Sequence, residues 1–273
     1  MSRMEFKTIS GVKLPVLGIG TWKMGMAGGL TDKQEIDAIK AAVDLGMTHI
    51  DTAEIYSEGH SEELVAEAIK GYDRNDLFIT TKVWRTNLEY DAVIKAAKGS
   101  LERLETSYID LLLIHWPNPE IPISETIAAM DYLVEQGLVK HIGVSNFSVE
   151  QIKEAQGNSK NAIFTDQVEY SLEDLSPEKD ILSYCQQNNM FLTAYSPLGR
   201  GNLAYPGYNP LLDEIAKKYN KTVVQVALNY LISRDNVIAI PKSGNVDHIK
   251  EIVGSVGWQL SQADIEILRE EFR

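Results

Sequence analysis

Short apolar runs rich in valine, isoleucine and leucine recur along this chain about every thirty residues, the length of one strand–helix repeat. Eight of them read as strands: Val16–Gly20, Thr48–Thr52, Leu77–Val83, Ile109–His115, His141–Val144, Ala162–Val168, Phe191–Tyr195 and Val237–Ile240. They are apolar along nearly their whole length, as parallel strands covered by helices are. The segments between them change to helical spacing. Thr31 opens a Thr-Asp-Lys-Gln capping box, Ile36, Ile39 and Val43 follow on one face, and Gly46 ends the helix. Leu64, Val65, Ala68 and Ile69 form a second stripe closed by Gly71, and Ile127, Leu133 and Val134 another closed by Gly137.

Eight such units, with no linker or shift in composition, predict an α/β fold: one (β/α)8 TIM barrel, a single domain over residues 1–273. A doubly wound sheet is the alternative, and its glycine fingerprint fails. Gly18-Ile-Gly20 is followed by Lys23 where a third glycine should stand, and Gly199-Arg-Gly201-Asn-Leu-Ala204 runs into Pro206 and Pro210 where a helix should open. Before the first strand, EFKTISGVKLPVL reads as a β-hairpin turning at Ser10-Gly11 and closing the barrel floor. Asn209–Tyr219 and Thr222–Arg234 look like two helices where one unit needs one, and Ser261–Phe272 adds a last helix.

Composition narrows the function. With 44% hydrophobic and 24% charged residues the chain has ample material for a core. A net charge of −13 argues against nucleic acid, which selects a basic face, and leaves room for an anionic small molecule met by local cations. No apolar run approaches a membrane span, and the N-terminus has no apolar signal core, so a cytoplasmic protein without membrane contact is expected. The lone Cys185 excludes an intramolecular disulfide and a cysteine metal cluster, and gives the sequons at Asn146 and Asn220 little weight.

The chemistry collects at the C-terminal ends of the strands, the rim on which barrel enzymes work. Trp22, Asp51, Lys82, Trp84, His115, Trp116, Ser145, Asn146, Gln167, Tyr195, Ser196, Lys242 and Ser243 all fall there, with Tyr56 a few residues into the loop after Asp51. Singly, Asp51 is an ordinary turn residue, Lys82 a strand end and His115 a core histidine. Together they make a proton donor. A phenol has an ordinary pKa near 10; an ammonium about 4 Å away favours its ionised form by roughly 4 kcal/mol, a drop of roughly three units. A desolvated lysine then needs a carboxylate behind it, which Asp51 supplies. A neutral His115 can donate a hydrogen bond to a carbonyl oxygen gaining charge.

These residues lie in GIGTW, HIDTAEIY, TKVW, DLLLIHWP, GVSNF, QVEY, YSPLG and IPKS, and with them the chain closely resembles the aldo-keto reductase superfamily over its full length, in particular its shorter prokaryotic-type members. The resemblance implies NADP(H) bound without a Rossmann domain and reduction of aldehydes and ketones, small-molecule carbonyl compounds, by hydride transfer. By position, Asp51, Tyr56, Lys82 and His115 match the catalytic tetrad, with Tyr56 as proton donor. Ser145, Asn146 and Gln167 match the residues that hold the nicotinamide carboxamide, and Tyr195 the residue stacked on its ring. Ser196, Leu198, Gly199 and Arg200 follow the pyrophosphate. Lys242 and Ser243 begin the segment at the adenosine 2′-phosphate, which continues through His248 and Glu251. Loops after strands seven and eight are also the usual phosphate site of barrels.

At His248 many relatives carry an arginine, and at Ile252 an asparagine. A histidine lacks the permanent charge and planar fork of arginine. NADP(H) is therefore expected to be preferred less strongly than in an arginine-bearing relative, with NAD(H) usable, and the preference should grow towards pH 6. Trp22, Trp84 and Trp116 suit the wall of an apolar or aromatic substrate. The chain stops soon after its last helix, so a permissive, open site is expected. A metal hydrolase would want a His-x-His pair, absent among His49, His60, His115, His141 and His248. The remaining alternative is a cofactor-binding regulatory or scaffold protein of the same fold.

Overall fold

The apolar runs become the staves of a barrel. The computed structural model describes residues 4–273. After a two-stranded hairpin, β1 (Phe6–Ile9) and β2 (Val12–Pro15), come β3 (Ile19–Gly20), α1 (Asp32–Asp44), β4 (His49–Asp51), α2 (His60–Ile69), β5 (Phe78–Val83) and α3 (Tyr90–Arg103). Then follow β6 (Ile109–Ile114), α4 (Ile123–Glu135), β7 (Val139–Ser145), α5 (Val149–Asn158), β8 (Ile163–Glu169), α6 (Ile181–Gln187) and β9 (Phe191–Tyr195). The chain ends with α7 (Pro210–Tyr219), α8 (Val223–Ile232), β10 (Val237–Ala239), α9 (Val246–Val253) and α10 (Gln262–Glu271).

Strands β3 to β10 pair in parallel, each with the next in the chain. The ring closes where the first meets the last. Leu17 bridges Ala239, Gly18 N–H donates to Ala239 O at 2.8 Å, and Gly20 N–H donates to Pro241 O at 3.0 Å. The first stave is regular over only two residues, and it lies close against its neighbour: a Cβ on Gly18 would lie 2.8 Å from His49 O. The capping box at Thr31 forms in both directions, its hydroxyl accepting from Gln34 N–H and the Gln34 amide oxygen accepting from Thr31 N–H.

The core has two parts. The larger lies between the staves and the helices. The smaller fills the barrel floor with Leu111, Leu113, Phe164, Phe191 and Ile238, and Ile9 and Leu14 of the hairpin close it from below. The hairpin turns at Ser10 and Gly11, both at positive φ (50° and 81°), the geometry of a tight two-residue turn. Lys7 anchors it, its ammonium donating to Ile232 O at 2.7 Å, Val237 O at 2.7 Å and Arg234 O.

The two helices expected between the last two staves are α7 and α8, and α10 is the added C-terminal helix. Gly199–Ala204 forms a short 3-10 turn with Arg200 and Gly201 at positive φ, not the opening of a nucleotide-binding helix. No helix of the described residues is long and apolar enough to cross a membrane.

Candidate active site

Three staves, and the loop after the first of them, deliver the acid–base cluster. Asp51 ends β4, Lys82 is the penultimate residue of β5, and His115 follows β6, its N–H donating to Val83 O at 3.0 Å. Tyr56 is set by a turn closed from Tyr56 N–H to Ala53 O, after which Ser57 and Glu58 adopt positive φ (50° and 58°). Non-glycine residues there cost on the order of 1–3 kcal/mol each and persist only where the surroundings hold them. The Ser57 hydroxyl provides such a hold, donating to Met24 O at 2.6 Å. The fully buried Lys82 ammonium then meets Asp51 Oδ1 at 2.5 Å, Thr52 O at 2.8 Å and the Tyr56 hydroxyl at a long 3.5 Å.

Burial sets the protonation states. It opposes the Lys82 charge, but Asp51 and Tyr56 more than offset it and hold the ammonium above its ordinary range. Around Tyr56 burial also leads, raising the phenol, while Lys82 pulls it down and Asp51 adds to the rise. The net direction is up. This corrects the sequence-based expectation of a depressed phenol: Lys82 stands where expected, but the cost of a buried phenolate exceeds its pull. Burial, reinforced by Lys82, lowers His115 to about 3, so its ring is neutral at physiological pH. His115 Nδ1 is buried without a partner, and the ring stands edge-on to Tyr56 (5.6 Å between centroids) and to Trp84 (5.1 Å).

A chain of hydrogen bonds joins this cluster to the next staves. Gln167 Nε2 donates to the second Asp51 oxygen at 2.7 Å, and Ser145 Oγ donates to Gln167 O at 2.7 Å. Asn146, at φ 63°, donates from Nδ2 to His115 O (3.1 Å) and Ser145 Oγ (3.0 Å) and accepts from the Tyr195 hydroxyl at 2.9 Å. With its carbonyl side turned from Asp51, Gln167 offers an acceptor above the acid–base cluster.

All this lines a cleft of about 680 Å³. Asp51, Tyr56, His115, Ser145, Asn146, Gln167, Tyr195, Ser196, Leu198, Arg200 and Lys242 border it, as do Trp22, Trp84 and Trp116. Lys82 lies beneath its floor rather than in its wall. Gly199, Ser243, His248 and Glu251 are outside it. Ser243 is buried with its hydroxyl turned to Asn245, the cap of α9, and His248 is exposed on that helix. Sequence reasoning missed Lys23, Met26 and Ile55. Their signal was their place in the loops that follow Trp22 and Asp51, where length hid which side chains turn inward.

The cleft fits a nicotinamide dinucleotide on its own chemistry. Lys23 and Lys242 both border the cleft and form no salt bridge among the described residues, although the Glu35 carboxylate acts on Lys242 more strongly than Lys23 does, so two ammonium groups are available to a phosphate. Tyr195 borders the same cleft as the amides of Asn146 and Gln167, its hydroxyl donating to Asn146 Oδ1 at 2.9 Å. Barrel and rim define an oxidoreductase that works with such a cofactor. The sequence profile of the aldo/keto reductase family matches residues 16–271, and the chain belongs to that family. It is 38% identical to methylglyoxal reductase YeaE of Escherichia coli (strain K12) over 96% of this chain and 92% of that one. It is 36% identical to a glyoxal reductase of Bacillus subtilis (strain 168) over 95% and 90%. Its fold superposes on the thermostable aldo-keto reductase Tm1743, solved with the inhibitor epalrestat, with a TM-score of 0.93 and 44% identity over 98% of this chain and 99% of that one. An aldo-keto reductase from Klebsiella pneumoniae, solved with NADPH, gives 0.90 and 33% over 98% and 96%.

Proposed function

We propose that this enzyme reduces small reactive aldehydes to alcohols with NADPH, using Tyr56 as the proton donor. The observation that carries the reading is the buried Asp51–Lys82–Tyr56 line, ending at the cleft beside a neutral His115. The bound dihydronicotinamide supplies a hydride to the carbonyl carbon. Ser145, Asn146 and Gln167 hold its carboxamide and Tyr195 its ring. Ser196, Leu198, Gly199 and Arg200 follow the pyrophosphate, and Lys242, Ser243, His248 and Glu251 meet the adenosine end. His115 donates a hydrogen bond to the carbonyl oxygen and orients it. As charge gathers there, Tyr56 gives up its proton. Burial keeps the phenol protonated in waiting, and Lys82, held charged by Asp51, stabilises the phenolate once it forms.

Trp22, Trp84 and Trp116, with Met26 and Ile55, give the mouth an apolar wall, which suits uncharged aldehydes. Small dicarbonyls of the kind named for the two bacterial relatives fit beneath it, and aromatic aldehydes fit against it. The test follows NADPH absorbance with methylglyoxal and with a nitrobenzaldehyde, for the wild type and Tyr56→Phe. Turnover in the wild type should fall roughly 10²–10⁴-fold in the variant while NADPH binding is kept, since proton transfer is what the phenol supplies. Tight NADPH binding without turnover across a panel of aldehydes would favour the scaffold reading; a fully active Tyr56→Phe would remove Tyr56 as donor.

A further inference from the structure

The side chain of Arg200 borders the cleft, yet its guanidinium is already engaged. Its Nε donates to Glu169 Oε1 at 3.1 Å and its Nη2 to Glu169 Oε2 at 2.8 Å, a two-pronged pair. Glu169 is the last residue of β8, paired across the sheet with Tyr195, and its charge is felt there: after burial, it is the chief cause lifting the Tyr195 phenol to about 12. The backbone is bent to make this reach. Arg200 and Gly201 lie at φ 53° and 110° in the turn after Leu198, which Gly201 N–H closes on Leu198 O at 2.9 Å. Lys23 and Lys242, the other cations bordering the cleft, have no such carboxylate.

We infer that Glu169 is a positioning residue that holds Arg200 at the edge of the cleft and competes with the cofactor's pyrophosphate for it. This rests on the reading of Ser196–Arg200 as the pyrophosphate site. The balance is physically reasonable. The guanidinium is largely exposed and Glu169 half-buried, and pairs open to water contribute little, so a doubly charged pyrophosphate at the same guanidinium displaces one carboxylate. In exchange, Arg200 is presented at the cleft rather than free in solvent, and the cofactor is released against a competitor that retakes the arginine.

The experiment is a double-mutant cycle on NADPH affinity, read by quenching of tryptophan fluorescence, with NADP⁺ dissociation followed by stopped flow. Glu169→Gln should tighten NADPH about 3–10-fold, mostly by slower dissociation, and Arg200→Gln should loosen it. In the Arg200→Gln background the Glu169 change should lose most of its effect. Glu169→Asp, which keeps the charge but is too short for the two-pronged contact, should fall between wild type and Glu169→Gln. Equal tightening in both backgrounds would overturn the inference, because Glu169 would then act only as a distant charge. Unchanged or weaker binding in Glu169→Gln would overturn it too. A wild type that binds no NADPH would instead remove the cofactor reading beneath it.

Discussion

Tyr56 and Asp166 show two uses of a buried titratable group. Burial raises both, but Tyr56 has Lys82 against it to receive the charge, whereas both Asp166 oxygens are without a hydrogen-bond partner. Asp166 sits in β8 with buried Cys185 of α6 facing it, and the Phe147 backbone amide favours its ionised form without hydrogen-bonding geometry. Its carboxyl is pushed well above the ordinary range. The sign of the linkage follows. The unfolded chain ionises this group near pH 4 while the folded chain keeps it neutral, so its stability is intact below that pH and is lost as pH rises towards the folded pKa. Asp166→Asn, of the same shape, should flatten this slope and leave the protein more stable than wild type at pH 7. Urea midpoints at pH 5 and pH 8 measure it; a wild type whose loss between those pH values equals the variant's would show Asp166 silent. A second prediction concerns His248, exposed on α9, the helix that follows Lys242 at the cleft. His248→Arg supplies a permanent charge and fork there, and should raise the ratio of kcat/KM for NADPH over NADH several-fold. A ratio that stays put would leave the choice to Lys242 and Ser243. At this scale the sequence was legible in identity and opaque in burial. Asp51, Lys82 and His115 could be read from strand ends, but the direction of the Tyr56 shift depends on how much protein surrounds it, which spacing does not encode.

At the scale of elements, the hairpin and its lysine show how a polar side chain can do structural work. Lys7 gives its hydrogen bonds to Ile232 O at the end of α8, Arg234 O in the loop after it and Val237 O at the start of β10, the first a group that a helix end leaves without a partner. Lys7→Met would leave them unpaired beside an apolar floor, costing about 1–3 kcal/mol. Because the hairpin covers the end of the barrel opposite the cleft, kcat should hold near the wild-type value. Denaturant unfolding with parallel kinetics checks both halves; loss of activity without loss of stability would contradict this division. The hairpin was legible from Ser10-Gly11, and all eight staves from their apolar runs. Their ends were less so. β7 starts at Val139, two residues before the run read from the sequence at His141, because Val139 pairs with Ile109. Lys140 within it is polar for a reason outside the strand, reaching Asp110 at 3.2 Å and lying over the Tyr108 ring. The first stave is shorter than its apolar run because its pairing reduces to single bridges where the ring closes.

At the scale of the whole molecule, the ring closure makes every unit a neighbour of two others, and the C-terminal helix is tied in by charge. Glu178 accepts from the Tyr170 and Tyr230 hydroxyls at 2.6 and 2.8 Å and from Arg269 of α10 at 2.8 Å, with Arg234 at 3.6 Å. Losing α10 would take Arg269 from a carboxylate that also holds two buried hydroxyls, weakening the whole network. Residues from all eight staves, or from the loops leaving them, also border or underlie the cleft through Trp22, Asp51, Lys82, His115, Asn146, Gln167, Tyr195 and Lys242, so assembling the site and closing the barrel are one event. Thermal unfolding should therefore show one cooperative transition. NADPH at a hundredfold its Kd should stabilise the native state by about 2.7 kcal/mol, moving that single transition up by about 5–10 °C. Methylglyoxal alone, a far smaller ligand, should move it far less. Two transitions, with only one responding to NADPH, would mean that part of the ring unfolds without the rest, and the cleft would then belong to a subdomain rather than to the closed barrel.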